Sequence, residues 1–206
     1  MPRLRRIVVP GVAHHVTQRG NRRQRTFFSD GDYRLYLFTL ARVCHRWGVA
    51  CWTYCLMPNH VHLILVPSTS ESLTCAVSEL HRTYTSEINR RQGWTGCLWQ
   101  GRYFSFPISE AHLLRAARYV LMNPFRAGLV ASASEWPYSS AHCHSTGRSD
   151  GIVSIEPLEK RVGDWDEFLG DDVRDEERRR FRLHQRTGRP LGDQEFLRRV
   201  LRGHNT

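Results

Sequence analysis

Residues 57–65, MPNHVHLIL, place two histidines one residue apart inside an apolar run. In an extended chain side chains alternate between faces, so His60 and His62 point one way and Val61, Leu63 and Leu65 the other. Their Cα atoms then lie about 6.6 Å apart at ~3.3 Å per residue. Such a pair is either two strand histidines satisfied by core hydrogen bonds or, if further donors reach them, half of a metal site. A second group of chemistry-bearing residues lies in SEAHLLRAARYVLMN, residues 109–123. There Leu113, Leu114, Ala117, Val120 and Leu121 mark one helical face, and His112, Arg115, Tyr119 and Asn123 recur at three- and four-residue steps on another. Two imidazoles and a side-chain carbonyl can hold a divalent ion, and that ion can polarise a phosphodiester for attack by the phenol. A tyrosine needs such help, because ionising a group of pKa about 10 at neutral pH costs roughly 4 kcal/mol. A nearby cation, the metal or Arg115, lowers that cost.

These residues require a strand and a helix packed beside it, and the surrounding sequence supplies both. VAHHVTQRG, residues 12–20, reads as a first strand ending in a glycine turn, on which one of His14 and His15 faces inward and the other outward, both as ordinary strand positions. A helix follows from Asp30, with Tyr33, Leu37, Leu40, Cys44 and Trp47 at helical spacing and Gly48 closing it. VACWTYCLM and HVHLILV, separated by Pro58 and Asn59, form a hairpin. Residues 70–91 give a second helix and RYFSFPI a further strand. The third helix has Ser109 as N-cap and Pro124 as its stop. The order β-α-β-β-α-β-α is that of an α+β ferredoxin-like sandwich with a central antiparallel sheet and an extra helix. Residues 1–140 hold this domain, residues 141–165 read as a polar, glycine-containing linker, and residues 166–206 as a basic helical tail. Cys51 and Cys55 lie about 13 Å apart along a strand, too far to share a zinc ion with the histidines.

The charge points to the partner. The 206 residues carry a net charge of +10 with a pI of 9.9, and Lys160 is the only lysine beside the arginines. Arginine grips phosphate bidentately, whereas lysine acts as a point charge. From Met1 to Ser29 no acidic residue offsets Arg3, Arg5, Arg6, Arg19, Arg22, Arg23 and Arg25, an uncompensated basic arm. Trp99, Gln100, Arg102 and Tyr103 offer stacking and charge to a nucleic acid, or else sit in the core and at a solvated edge. TGRP, residues 187–190, offers Arg189 to a narrow groove, or forms a plain turn. The six cysteines show no C-x-x-C pair and the N-terminus has too short an apolar stretch for a signal peptide, so reduced thiols and a cytoplasmic setting are expected. No window approaches a membrane span.

PNHVHLIL, YVLMNPFRAGLV, WQGRYF and HHVTQRGNRRQ together resemble the HUH single-tyrosine transposases, specifically the REP-associated tyrosine transposase branch, over residues 7 to 140; the segment QRTGRPLG resembles tails of that branch. The resemblance implies cleavage and rejoining of single-stranded or hairpin DNA through a 5′-phosphotyrosine intermediate and a free 3′-OH, without ATP, at REP-like palindromic repeats. Tyr119 matches the nucleophile, His60 and His62 the metal pair, and Asn123 the place of a third polar ligand, the metal being Mg2+ or Mn2+. Arg19, Arg22, Arg23, Arg25, Arg102, Arg115 and Arg189 are the expected DNA contacts. The expected protein is a monomer or homodimer in the bacterial cytoplasm, associated with the nucleoid. Two other classes compete: a domesticated nucleic-acid-binding protein that does not cut, and a small rolling-circle nickase.

Overall fold

A computed structural model describes residues 6–170 and 175–202, so Arg3 and Arg5 of the basic arm lie outside the described residues. Strand β1 spans His14–Arg19, helix α1 Asp30–Trp47, β2 Val49–Met57, β3 His60–Pro67, α2 Ser72–Gln92, β4 Phe104–Pro107 and α3 Glu110–Leu121. Short helices α4 (Asn123–Arg126), α5 (Ala141–Thr146), α6 (Glu156–Glu159) and α7 (Trp165–Gly170) follow, then α8 (Asp175–Thr187) and α9 (Gln194–Arg202). The four strands form one sheet in the order β2-β3-β1-β4, with every pairing antiparallel. This is the α+β arrangement expected from the element order. Among the described residues no helix is long and apolar enough to cross a membrane.

Local chemistry sets the boundaries. Ser29 and Asp32 close a capping box at the start of α1, satisfying N–H groups that have no helical partner. Gly48 ends the helix at φ +60, and a Cβ there would fall 2.5 Å from Ser68 Oγ, so both the backbone and the space call for glycine. Pro124 does more than stop the third helix: α3 ends at Leu121, and Pro124 opens α4 in the first-turn position where its missing N–H costs nothing.

Directly opposed residues of paired strands share a face, so the register assigns both faces of the sheet. Val16, Leu63, Leu65 and Leu56 pack with Tyr36, Leu40, Val43, Leu73, Val77, Leu80 and Tyr84 from α1 and α2 into the larger core. The opposite face carries His15, Thr17 and Arg19 of β1, opposite Ile64, His62 and His60 of β3, with Cys55 and Met57 of β2 alongside. Leu113, Ala116, Ala117 and Val120 of α3 cover it. A register shift between Cys51 and Thr53 switches parity on β2, so Cys51 joins the first core and Cys55 the second. The two thiols therefore sit on opposite faces, a stronger separation than their spacing alone implies.

Residues 141–165, expected as a linker, are packed instead. Val153 bridges to Cys51, Ser154 N–H donates to the Cys51 carbonyl, and Cys143, Val153 and Leu158 are buried. The edge strand β2 presents backbone groups that need partners, and this segment supplies them. The tail does the same on the other edge: Leu191 bridges to Ile108 while α8 lies over β4.

Candidate active site

The sheet and α3 bring His60, His62 and Tyr119 together. The rings of His60 and His62 lie 5.0 Å apart at 82°, and the Tyr119 ring is 5.8 Å from His62 and nearly perpendicular to it. His62 and Tyr119 are 3% and 6% exposed, and His60, at the strand end, is partly exposed. Asn123 donates its Nδ2 hydrogens to the carbonyls of Tyr119 (2.8 Å) and Val120 (3.1 Å), which closes the end of α3. That leaves Oδ1 as the atom of this side chain with lone pairs for a metal. Phe181 of the tail stacks on Tyr119 at 5.0 Å, so α8 covers one side of the phenol ring.

Three further residues complete the site and are not in the sequence-derived set of site residues. His15 lies beneath His62, its ring 5.1 Å away and nearly parallel, with Nε2 2.9 Å from His62 Nδ1. Strand parity could have found it, since His15 shares a face with Thr17 and Arg19. Asn59 stands with Oδ1 2.6 Å from His60 Nδ1. Arg126, three residues past Asn123, holds its guanidinium 5.0 Å over the Tyr119 ring and donates to the Tyr119 carbonyl.

Burial dominates the electrostatics. It pushes the His60 imidazole down to about 3, helped by the charge of Arg19, and His15 likewise to about 3. His62 is lowered well below the ordinary range by burial, and then by His60, His15, Arg126 and Arg19. All three rings are therefore neutral at pH 7, the state in which an imidazole has a lone pair to give. Among the described residues no three His, Cys, Asp or Glu side chains gather in metal-binding geometry. If the pair holds a metal, a third ligand from the described residues would be of another type, and the amide oxygen of Asn123 has the chemistry for it. Two imidazoles and one carbonyl oxygen fit a divalent ion that keeps positions for water and phosphate oxygens.

The expected DNA-contacting arginines fall into separate groups. Arg19 is exposed and opposite His60, on the face that also holds His62 and Tyr119. Arg22 and Arg23 are exposed on a turn that adopts positive φ at both positions, 52° and 62°, and Arg25 follows, also exposed. Arg22, Arg23 and Arg25 thus lie on an ordered turn beside the histidines, whereas Arg6 packs over the Tyr103 ring and donates to the Tyr103 carbonyl. Arg115, expected beside the phenol, points outward and pairs with Glu177 at 3.2 Å. The cations near Tyr119 are Arg19 and Arg126, because Glu177 of α8 holds Arg115 away from the phenol. Arg102 is exposed, whereas Trp99 and Tyr103 are each 5% exposed in the larger core and are not free stacking platforms. Arg189 is exposed on a segment whose next residues, Pro190 and Leu191, are buried against β4.

Residues 8–123 match the family of IS200-like transposases, more than half of the chain. The chain belongs to this family. Its curated relatives include the REP-associated tyrosine transposase of Escherichia coli strain K12, 25% identical over 89 residues, which cover 42% of this chain and 51% of that protein. The chain thus spans about half the length of that relative. A solved structure of a REP-associated tyrosine transposase bound to a REP hairpin superposes with a TM-score of 0.61 at 21% identity, covering 75% of this chain and 90% of that one. At that identity the likeness establishes the ferredoxin-like fold. The resemblance carried by PNHVHLIL and YVLMNPFRAGLV is thereby matched by family, curated relative and fold alike.

Proposed function

We propose that this IS200-like transposase cleaves and rejoins single-stranded or hairpin DNA, of the REP-like palindromic kind, with Tyr119 as nucleophile. The observation that carries the reading is the placement of the Tyr119 phenol 5.8 Å from His62, on the face that also holds His60 and Arg19. The Tyr119 oxygen attacks phosphorus, the bond to the 3′ oxygen breaks, and the strand leaves with a free 3′-OH. A phosphotyrosine diester keeps roughly the bond energy of the diester it replaces, so a 3′-OH can reverse the step and join strands. Arg19 and Arg126 are the cations placed to offset charge on the phenolate and the phosphate. His60, His62 and Asn123 would hold Mg2+ or Mn2+, which when bound supplies Lewis-acid polarisation of the scissile phosphate. The arginine turn would bind the DNA backbone. That one relative is known bound to a REP hairpin supports the choice of substrate.

The test is covalent trapping on a hairpin oligonucleotide. Tyr119→Phe removes only the attacking oxygen, so the covalent band should vanish while hairpin binding stays within a few fold. A Tyr119→Phe protein that still forms the adduct would remove Tyr119 as the nucleophile. A wild type that binds hairpins but yields no adduct with Mg2+ or Mn2+ would favour the non-cleaving binding protein.

A further inference from the structure

An imidazole can bind a metal through one nitrogen only if that nitrogen carries no hydrogen, so a neutral histidine is a ligand in one tautomer and useless in the other. Which tautomer forms is set by what the second nitrogen meets. Around His60 the answer is fixed by an amide whose orientation is unambiguous. Asn59 Nδ2 donates to the Arg23 carbonyl at 3.0 Å, so Oδ1 is the atom turned to His60 Nδ1 at 2.6 Å. A carbonyl oxygen can only accept, so the hydrogen sits on His60 Nδ1 and Nε2 is bare.

Around His62 the partner is another buried histidine. His15 Nε2 lies 2.9 Å from His62 Nδ1, and His15 Nδ1 is buried with no hydrogen-bond partner among the described residues. Two neutral arrangements share these positions. If His15 Nε2 donates, His62 carries its hydrogen on Nε2 and cannot ligate. If His62 Nδ1 donates, His62 Nε2 is bare and His15 keeps a hydrogen on its unpartnered Nδ1. A buried histidine left with one unpartnered nitrogen costs on the order of 1–3 kcal/mol in a purely structural role. That cost is explained if the other nitrogen must serve as an acceptor for His62.

We propose that Asn59 and His15 are the positioning residues of the metal pair: each accepts the Nδ1 hydrogen of one ligand histidine, so that His60 and His62 both present a bare Nε2. This rests on the reading of His60 and His62 as metal ligands. Asn59 also ties the pair to the arginine turn. Its carbonyl accepts from Gly20 N–H at 2.8 Å and its amide holds Arg23, so one residue clamps both ends of the turn and orients a ligand.

Two measurements test this. Nitrogen NMR of the metal-free wild type, which needs no variant, should show the Nδ1–H tautomer at His60; the Nε2–H tautomer there would overturn the proposal. Mn2+ affinity, read by the loss of the free-ion electron paramagnetic resonance signal, should fall about 10- to 100-fold in Asn59→Ala and in His15→Leu. Asn59→Asp and His15→Gln keep an accepting oxygen and should bind within a few fold of wild type. Asn59→Asp also loses the bond to Arg23, so its rescue separates orienting the histidine from clamping the turn. Variants Asn59→Ala and His15→Leu that bind Mn2+ as tightly as wild type would overturn the proposal alone. A wild type that binds no Mn2+ would overturn the metal reading of the pair and this proposal with it.

Discussion

Leu63 and His62 are neighbours on β3 and both are buried, yet they face opposite environments. Leu63, at 0% exposed, enters a core of leucines, valines and tyrosines from α1 and α2. His62 enters a face where three imidazoles, a phenol and two arginines crowd together. Burying polar groups costs free energy that apolar contacts must offset, and an unpartnered His15 nitrogen adds to that cost. The same four strands serve both purposes because strand parity sends alternate residues to opposite faces. Both faces bury apolar side chains, and the one that holds the histidines also carries the cost of its buried polar groups.

That division is broken or sharpened most strongly by changing the two neighbours separately. Leu63→Ala should cost about 2–5 kcal/mol, because it removes a fully buried side chain whose cavity the sheet cannot close. Adduct formation by the molecules that stay folded should remain within a few fold. His62→Ala should abolish the adduct. Urea denaturation and the trapping assay, run on both variants, decide the matter; a folded Leu63→Ala protein without activity would show that the two faces are not separable.

His81 is one of the buried polar groups on the apolar side, as are His14 and Asp32, and it sharpens the comparison at a smaller scale. It is 7% exposed, its Nε2 lies 3.0 Å from Tyr36 Oη, and burial pushes its pKa down to about 3. The unfolded chain, with an ordinary histidine pKa near 6.5, binds a proton that the folded chain refuses. Stability from this group is therefore complete above pH 6.5 and lost as pH falls from 6.5 toward 3, by up to about 1.4 kcal/mol per pH unit. His81→Gln should flatten the slope of stability against pH by that amount between pH 6 and 4 and leave cleavage at pH 7.5 unchanged. An identical slope in the variant would mean that His81 is protonated in the fold.

The parts of this molecule that could be read in the sequence are those governed by local periodicity. Alternation gave His60 and His62 a common face, helical spacing put Tyr119 one turn above Asn123, and Pro58 with Asn59 marked the hairpin. The parts that escaped depend on contacts between distant residues. The register shift at β2 leaves no trace in VACWTYCLM, so the opposite burial of Cys51 and Cys55 follows only from the pairing with β3. Residues 141–165 look polar because their few apolar anchors are scattered, and what orders them is the backbone of an edge strand far away in sequence. Arg115 and Arg126 are both near Tyr119 in sequence, and only the packing of α8 through Glu177 shows which one turns outward.

The smallest effect lies at the rim of the active face, where the backbone itself carries a cost. Arg22 and Arg23 are the only non-glycine residues at positive φ among the described residues, and the apolar side has none. Such a placement costs an L-residue roughly 1–2 kcal/mol, while glycine there would lose about 0.4–1 kcal/mol through the freedom it gives the unfolded chain. Arg22→Gly should therefore stabilise the protein by about 0.5–1 kcal/mol. It should also weaken hairpin binding and flatten the log–log salt dependence by about 0.7–0.9, the effect of one lost phosphate contact. Because phosphates carry no sequence, a REP-like and a scrambled hairpin should lose affinity by similar factors. Gain in stability with loss of binding would mean that the side chain is kept for DNA at the expense of the fold. A variant of lower stability, or one that binds both hairpins as wild type across the salt series, would mean that the turn is strained for a reason other than DNA. A loss confined to the REP-like hairpin, with the salt slope unchanged, would instead make Arg22 a reader of DNA sequence or shape.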